Sequence, residues 1–140
     1  IIELPDHSFI QMGDFSGYAI QQCAKKGLKK AYVAGFIGKL AKMAAGVKQT
    51  HVKGGKVDMK FLSELAKRCN ADSETIRKIL GANTARNVQE IIMEDGVNGF
   101  FDEITKEVCN QMRQHSDEKI PVEVILFDFD GKVLSRDKKE

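Results

Sequence analysis

The chain has 140 residues, of which 42% are hydrophobic and 30% are charged, and its formal net charge is +2. This composition is typical of one soluble globular domain, and no apolar run is long enough to cross a membrane. Three cysteines without a Cys-x-x-Cys pair argue against a disulfide framework and against a cysteine zinc site. We therefore expect a cytoplasmic protein. Because the chain starts at Ile1 rather than Met, we expect it to be a piece of something longer.

Positive charge is concentrated in one stretch of the chain. Residues 25–60 contain ten lysines and one acidic residue, Asp58, whereas the remainder is net acidic. This segregation favours an anionic partner at one surface. The first four of these lysines have a second explanation, because they follow a predicted helix and would complement the negative end of its dipole.

Hydrophobic periodicity and glycine punctuation divide the first part of the chain into short elements. An almost continuous apolar run at residues 31–37 is typical of a strand buried on both faces. In chain order the pattern predicts a strand at 7–12, a helix at 15–26, a strand at 31–37, a helix at 39–45 and a loop at 47–57.

The second part of the chain is mainly helical until its last strand. Amphipathic stripes and stop signals predict four consecutive helices. The first begins at Asp58, the second is capped by Asp72 or Ser73, the third ends at Gly96, and the fourth carries Phe100 to Met112. A strand follows at 122–129, then an Asp130-Gly131 hairpin turn, a returning strand at 132–135 and a charged tail after Arg136.

The alternation of strands and helices predicts an α/β fold with a Rossmann-like, mostly parallel sheet flanked by helices. A helical stretch and a C-terminal strand or hairpin complete the chain. A fully buried strand at 31–37 needs neighbours on both sides, and only three or four strands are visible. We therefore expect the sheet to be incomplete in this chain, with some of its strands upstream.

Two glycine-rich segments fall at predicted strand-to-helix junctions, Gly13-Asp-Phe-Ser-Gly17 and Gly35-Phe-Ile-Gly-Lys39. Glycines let backbone N–H groups approach a ligand, and a helix N-terminus favours anions. In a parallel sheet both junctions would lie at the carboxyl edge, where open α/β sheets bind ligands. Neither segment is a Walker loop or a G-x-G-x-x-G loop. For each segment the alternative to ligand binding is a purely structural role. In residues 35–39 it is a glycine that packs against a neighbouring helix, and in residues 13–17 it is Asp14 as an N-cap.

Two further motifs carry weaker signals. Thr50-His51 lies in the basic loop, but His7 and His115 show no metal-ligand spacing to it, so a metal site is not expected. The segment 126–131 resembles the Asp-x-Asp-Gly strand end of haloacid-dehalogenase-type phosphatases. Only nine residues follow Gly131, which leaves no room for the later motifs of that family, and a hairpin turn is favoured.

Taken together, residues 13–17, residues 33–46 and Thr50-His51 resemble the C-terminal region of the CbiD family, the cobalt-precorrin-5B C1-methyltransferases of anaerobic cobalamin biosynthesis. The most specific part is a strand followed by G-x-I-G-K-L-x-K-x-A-x-G and a nearby Thr-His. The resemblance covers about residues 8–60 well and the helical remainder only in general pattern. It implies that residues 1–140 are the C-terminal α/β portion of a two-domain protein whose N-terminal domain is absent.

The resemblance implies that S-adenosylmethionine donates a methyl group to ring carbon 1 of a cobalt-bearing tetrapyrrole. The cobalt would enter only as part of that substrate, and the other partners would be the rest of the same chain and a second copy in a homo-oligomer. Lysines and backbone N–H groups suit the carboxylates of such a substrate. No catalytic residue is assigned. The residues expected to contact substrate or methyl donor are Gly13, Asp14, Phe15, Gly17, Gly35, Gly38, Lys39, Lys42, Gly46, Thr50 and His51.

A competing hypothesis is a non-catalytic basic α/β module that binds nucleic acid or a protein. Nucleic-acid binding predicts aromatic residues interleaved with the lysines. Only Tyr32 and Phe36 fall inside the basic stretch, and both belong to the strand predicted to be buried, which counts against this hypothesis. We expect neither a nucleic-acid nor a membrane partner. A phosphatase, which rests on residues 126–131 alone, is the third hypothesis.

Overall fold

The computed structural model describes residues 4–8, 16–46 and 57–139, and within them it contains six α-helices and a three-stranded sheet. The predicted α/β class and the predicted helices are confirmed. In chain order the elements are α1 (Ser16–Lys25), β1 (Ala31–Gly35), α2 (Ile37–Ala45), α3 (Met59–Arg68), α4 (Ser73–Leu80), α5 (Ala85–Asp95), α6 (Phe100–His115), β2 (Val122–Phe127) and β3 (Val133–Lys139).

The described sheet is mixed rather than mostly parallel. Its order is β1-β2-β3. β1 runs parallel to β2, with Ala31 opposite Val122 and Gly35 opposite Leu126, whereas β3 returns antiparallel to β2. The predicted hairpin accounts for the antiparallel pair, because a tight turn can only join antiparallel strands. The charged residues after Arg136, predicted to be a tail, extend β3 to Lys139.

The prediction that strand 31–37 is buried on both faces is wrong for the described sheet. β1 pairs only with β2 among the described strands, and only Val33 within it is buried. The apolar run was mistaken for one buried strand because it spans two elements. Its last residue, Ile37, is the buried first residue of α2. Tyr32 and Phe36 are 38% and 47% exposed. Both aromatic residues are therefore accessible, and their expected burial does not count against the nucleic-acid hypothesis.

The beginning of the chain also departs from prediction. Asp6–Ser8 form a short 3-10 helix where the start of a strand over 7–12 was expected. The rest of that predicted strand lies outside the described residues, as does the loop at 47–56. Among the described helices, none combines the length and the apolar character that crossing a membrane requires.

Two contacts show how helix α6 is oriented relative to the sheet. The Thr105 and Ser135 hydroxyls are 2.9 Å apart, and Ser135 pairs with Leu126 near the end of β2. Four residues later, the Cys109 thiol lies 3.8 Å from the carbonyl oxygen of Val122, where β2 begins. α6 therefore runs antiparallel to β2, with its first turn toward the carboxyl end of the strand and its last turn beyond the amino end.

Side chains cap three of the six described helices. Asp58 accepts a hydrogen bond from the Phe61 N–H of α3 at 3.0 Å, and Asp72, rather than Ser73, caps α4 at 2.8 Å. Thr84 caps α5 in the same way at 3.0 Å. Phe36, which precedes α2, makes no side-chain capping bond. Gly99, which precedes α6, makes none either.

Candidate functional site

The carboxyl ends of β1 and β2 form the edge of the sheet that carries the candidate site. The two strands are parallel neighbours, and Gly35 at the end of β1 lies opposite Leu126 of β2. The chain leaves β1 into Phe36 and α2, and it leaves β2 into the turn at residues 128–132. Ligands bind open α/β sheets in the crevice outside such strand ends.

Two aromatic rings and one arginine meet at this edge. The rings of Phe36 and Phe129 are stacked, with centroids 4.9 Å apart and planes inclined by 18°. The guanidinium carbon of Arg86, in the first turn of α5, lies 4.3 Å from the centroid of the Phe129 ring. Phe36 and Phe129 remain 47% and 40% exposed. We call these three side chains the edge patch; it was not among the residues predicted from the sequence.

The first turn of α2 lies directly beside Phe36. Its first N–H groups carry the positive end of the helix dipole, and the side chain of Phe36 does not cap them. A β-carbon added to Gly38 would meet no described atom within 4 Å, and one added to Gly35 would make only ordinary contacts with Leu40 at 3.8 Å. The alternative that Gly38 is small in order to pack against a neighbouring helix therefore has no support in the described structure.

The lysines of α2 differ in exposure. Lys39 is exposed in the first turn, and Lys42, one turn later, is partly exposed. Lys39, Gly38 and Gly35 are thus brought together at the carboxyl edge, with Lys42 further along the same helix. The junction therefore lies at the predicted edge of the sheet, and anion binding there stays a prediction.

The turn after β2 is a hairpin turn, as predicted. The Asp128 side chain is only 8% exposed, and its Oδ1 accepts hydrogen bonds from the N–H groups of Asp130 at 2.9 Å and Lys132 at 2.8 Å. Gly131 has φ +88°, which a β-carbon would strain. The carboxylate that a phosphatase would use as nucleophile is therefore held inside the turn.

Two predicted site residues lie at the other end of the sheet. A β-carbon on Gly17 would be 3.1 Å from the ring of His115, and one on Gly46 would be 2.7 Å from the side-chain oxygen of Gln111. Both contacts are to the last turns of α6, at the amino end of β2. The structure therefore does not bring Gly17 and Gly46 together with Gly35 and Gly38. The remaining predicted residues, Gly13, Asp14, Phe15, Thr50 and His51, lie outside the described residues.

A cleft of about 750 Å³ lies elsewhere, where the end of α3 meets the starts of α4 and α6. Acidic side chains dominate its lining, including Asp72, Asp95, Asp102 and Glu103. Hydrogen bonds from the backbone N–H and the hydroxyl of Thr75 lower the pKa of Asp72.

The hydroxyl of Thr75 also lowers the pKa of Asp95, with Lys78 contributing. Ionised carboxylates repel an anionic ligand, so this cleft does not suit a molecule rich in carboxylates. The Cys69 thiol in the same cleft has a raised pKa because of its burial and, to a lesser extent, because of Glu103 and Asp102. It is therefore less nucleophilic than an ordinary cysteine. Among the described residues, no group of three His, Cys, Asp or Glu side chains is arranged to hold a metal ion.

Comparison with known proteins gives the family. Residues 49–138 match the family model described as CbiD, C-terminal domain. The chain belongs to the CbiD family. This match covers α3 to α6 and the hairpin, the part of the chain for which the motifs indicated only a general resemblance. No solved structure matches the chain significantly, so the Rossmann-like description of the sheet has no structural counterpart.

Several curated relatives of this CbiD chain carry the same name. Proteins called cobalt-precorrin-5B C(1)-methyltransferase from Priestia megaterium and Thermus thermophilus are 36% and 37% identical to it over 134 and 133 residues, covering 96% and 94% of the chain. The protein of that name from Leptospira interrogans is 37% identical over 133 residues, or 95% of the chain. In each case the matched region is 36% of the relative, so the chain spans about a third of the relatives' length.

Proposed function

We propose that the complete protein transfers a methyl group from S-adenosylmethionine to carbon 1 of cobalt-precorrin-5B, giving cobalt-precorrin-6A in anaerobic cobalamin biosynthesis. The observation that carries this proposal is the shared name of relatives that match 94–96% of the chain. The rest of the same protein completes the enzyme, with residues 1–140 as its C-terminal α/β portion.

The carboxyl edge of the sheet is the part of this chain that we assign to substrate binding. The tetrapyrrole carries acetate and propionate carboxylates, and each of them can accept hydrogen bonds from a lysine or from backbone N–H groups. The first turn of α2 offers the positive end of its dipole, the exposed Lys39 and, as far as the described atoms show, open space beside Gly38. Charge-assisted hydrogen bonds of this kind are about twice as strong as neutral ones. The cobalt ion enters the site within the substrate.

The work required of the protein is mainly positioning. The sulfonium donor is already electrophilic, so the methyl group moves once the donor and the ring carbon are held in line at short distance. No strong nucleophile is then needed. The edge residues of this chain bind and orient the tetrapyrrole. No described residue is assigned to the methyl donor. Asp14, Thr50 and His51, which lie outside the described residues, remain proposed contacts of the substrate or the methyl donor.

A labelling experiment tests the proposed function. The complete protein is incubated with cobalt-precorrin-5B and S-adenosylmethionine that carries an isotopically labelled methyl group, and the product is analysed by NMR. We expect the label at ring carbon 1. Transfer to another atom of the ring, or no transfer by a protein whose circular dichroism shows it to be folded, contradicts the proposal. Residues 1–140 expressed alone should transfer no label, because they span only about a third of the relatives.

A further inference from the structure

We propose that the edge patch of Phe36, Phe129 and Arg86 is a platform on which one face of the tetrapyrrole lies. This inference rests on the proposed function and adds the residues that receive the ring itself, as distinct from its carboxylates. The substrate class is a broad apolar macrocycle with carboxylates around its rim.

Three separate elements build the patch. Phe36 follows β1, Phe129 follows β2, and Arg86 lies in the first turn of α5. The two rings are stacked 4.9 Å apart, yet nearly half of each remains open to solvent. Single exposed aromatic residues are common, but adjoining exposed rings at a strand edge form an apolar patch of the kind that marks binding surfaces.

The charges around the patch select the ligand. Arg86 stacks on Phe129 at 4.3 Å, and its nearest described acidic contact is the loose ion pair with Glu90, at 3.7 Å on the same helix. Lys39 lies three residues after Phe36, and Lys132 three residues after Phe129; both are exposed. Beside Arg86, Lys39 and Lys132, the same segments carry one exposed acidic residue, Asp130, next to Phe129. Apolar rings with a net basic surround complement a cobalt macrocycle whose carbon skeleton is apolar and whose rim is anionic.

The position of the patch also agrees with the carboxylate contacts proposed above. Phe36 is the residue immediately before the uncapped first turn of α2. A macrocycle lying on the Phe36 ring would therefore place its rim beside the N–H groups of Gly38 and Lys39. The ring contacts and the carboxylate contacts belong to a single surface.

Conservative variants of the complete protein test the platform. Phe36→Leu and Phe129→Leu keep an apolar side chain and remove the flat ring, with Tyr18→Leu as the matched control, because Tyr18 is an exposed aromatic residue on α1. Arg86→Gln removes the cation, with Arg77→Gln as its control, because Arg77 is likewise exposed and paired within its own helix. The probes are cobyrinic acid, a cobalt corrinoid with free carboxylates, and its methyl ester.

Affinities are measured by isothermal titration calorimetry, and melting temperatures are measured for every variant. We expect the two phenylalanine variants to bind both probes about three- to tenfold more weakly, as the loss of an aromatic contact predicts. Arg86→Gln should weaken the acid more than the ester, and both control variants should bind like the wild type.

Four results overturn the inference. The first is unchanged affinity in both phenylalanine variants, even if their melting temperatures fall. The two rings would then serve only to hold together the segments that follow β1 and β2. The second is a wild-type protein that binds neither probe. The third is equal weakening by the control variants. The fourth is preferential binding of a single-stranded oligonucleotide through the same rings. A protein that binds the corrinoid through these rings but transfers no methyl group keeps the platform and contradicts the proposed function alone.

Discussion

Replacing Gly38 by alanine separates the stability of α2 from its proposed role in binding. The added β-carbon meets no described atom within 4 Å, and Gly38 does not occupy the left-handed backbone region. Alanine is the better helix former by about 0.5–1 kcal/mol. The variant should therefore be at least as stable as the wild type, with a melting temperature that is unchanged or higher by about 1–2 °C in the complete protein.

Substrate binding should change in the opposite direction. If a carboxylate of the macrocycle lies against the first turn of α2, a methyl group at Gly38 occupies its space, and overpacking of this size costs about 1–3 kcal/mol. That free energy corresponds to an affinity loss of about five- to hundredfold. The assay is calorimetric titration of the complete protein with cobyrinic acid, accompanied by differential scanning fluorimetry of each variant.

Gly81→Ala is the matched control. Gly81 ends α4 with φ −89°, and its added β-carbon makes only an ordinary contact, 3.6 Å from the Arg77 carbonyl oxygen. This control should be folded and should bind the corrinoid normally. If Gly38→Ala is also stable and binds with wild-type affinity, the open space at Gly38 is not where the substrate lies, and the reasoning from the uncapped helix is refuted.

Four further predictions concern single residues. Lys39→Ala should weaken corrinoid binding about ten- to hundredfold, because one charge-assisted contact is lost. The control, Lys29→Ala, should show wild-type affinity when titrated, because Lys29 is an exposed residue of the segment after α1. Gly46→Ala should lower the free energy of unfolding in urea by about 1–2 kcal/mol, since its φ is +74°. Asp128→Ala should lower the melting temperature, because its carboxylate accepts two N–H groups of the hairpin turn. Hydrogen bonding to the Thr75 backbone N–H lowers the pKa of Asp72 below its ordinary 3.8. The ionised Asp72 cap therefore stabilises the folded protein fully above pH 3.8, and this stabilisation is lost as pH falls through the lower pKa of the folded state. The melting-temperature difference between wild type and Asp72→Ala should shrink on acidification to about pH 2.

Local signals in the sequence were sufficient to predict the described helices. Their ends depend on groups that act within one turn, such as the Asp58 carboxylate at the start of α3 and the left-handed Gly96 at the end of α5. The hairpin was predictable for the same reason, because the Asp130-Gly131 turn places β3 beside β2. Each of these features is decided by residues close together in the chain.

The arrangement of the sheet depends on distant residues and was only partly predicted. Gly17 was expected at the carboxyl edge on the assumption that a strand precedes α1 in the same sheet. Residues 6–8 form a 3-10 helix, residues 9–12 lie outside the described residues, and the start of α1 packs on His115. The run at 31–37 could not reveal that its apolar residues are shared between a helix and a strand at the edge of the described sheet.

The candidate site was predicted through its backbone and missed in its side chains. The glycines and the lysine of residues 35–39 were visible because they are consecutive. The edge patch was not, since Phe36 and Phe129 are more than ninety residues apart and meet only because β1 pairs with β2. A signal was present, however: each ring lies within two residues of the end of a strand.

A crystal structure of the complete protein with cobyrinic acid bound would locate the substrate site directly. We expect the macrocycle to lie against the rings of Phe36 and Phe129, with at least one carboxylate accepting hydrogen bonds from the N–H groups in the first turn of α2. A corrinoid bound in the acidic cleft between α3, α4 and α6, or anywhere else while this edge stays empty, would contradict this expectation.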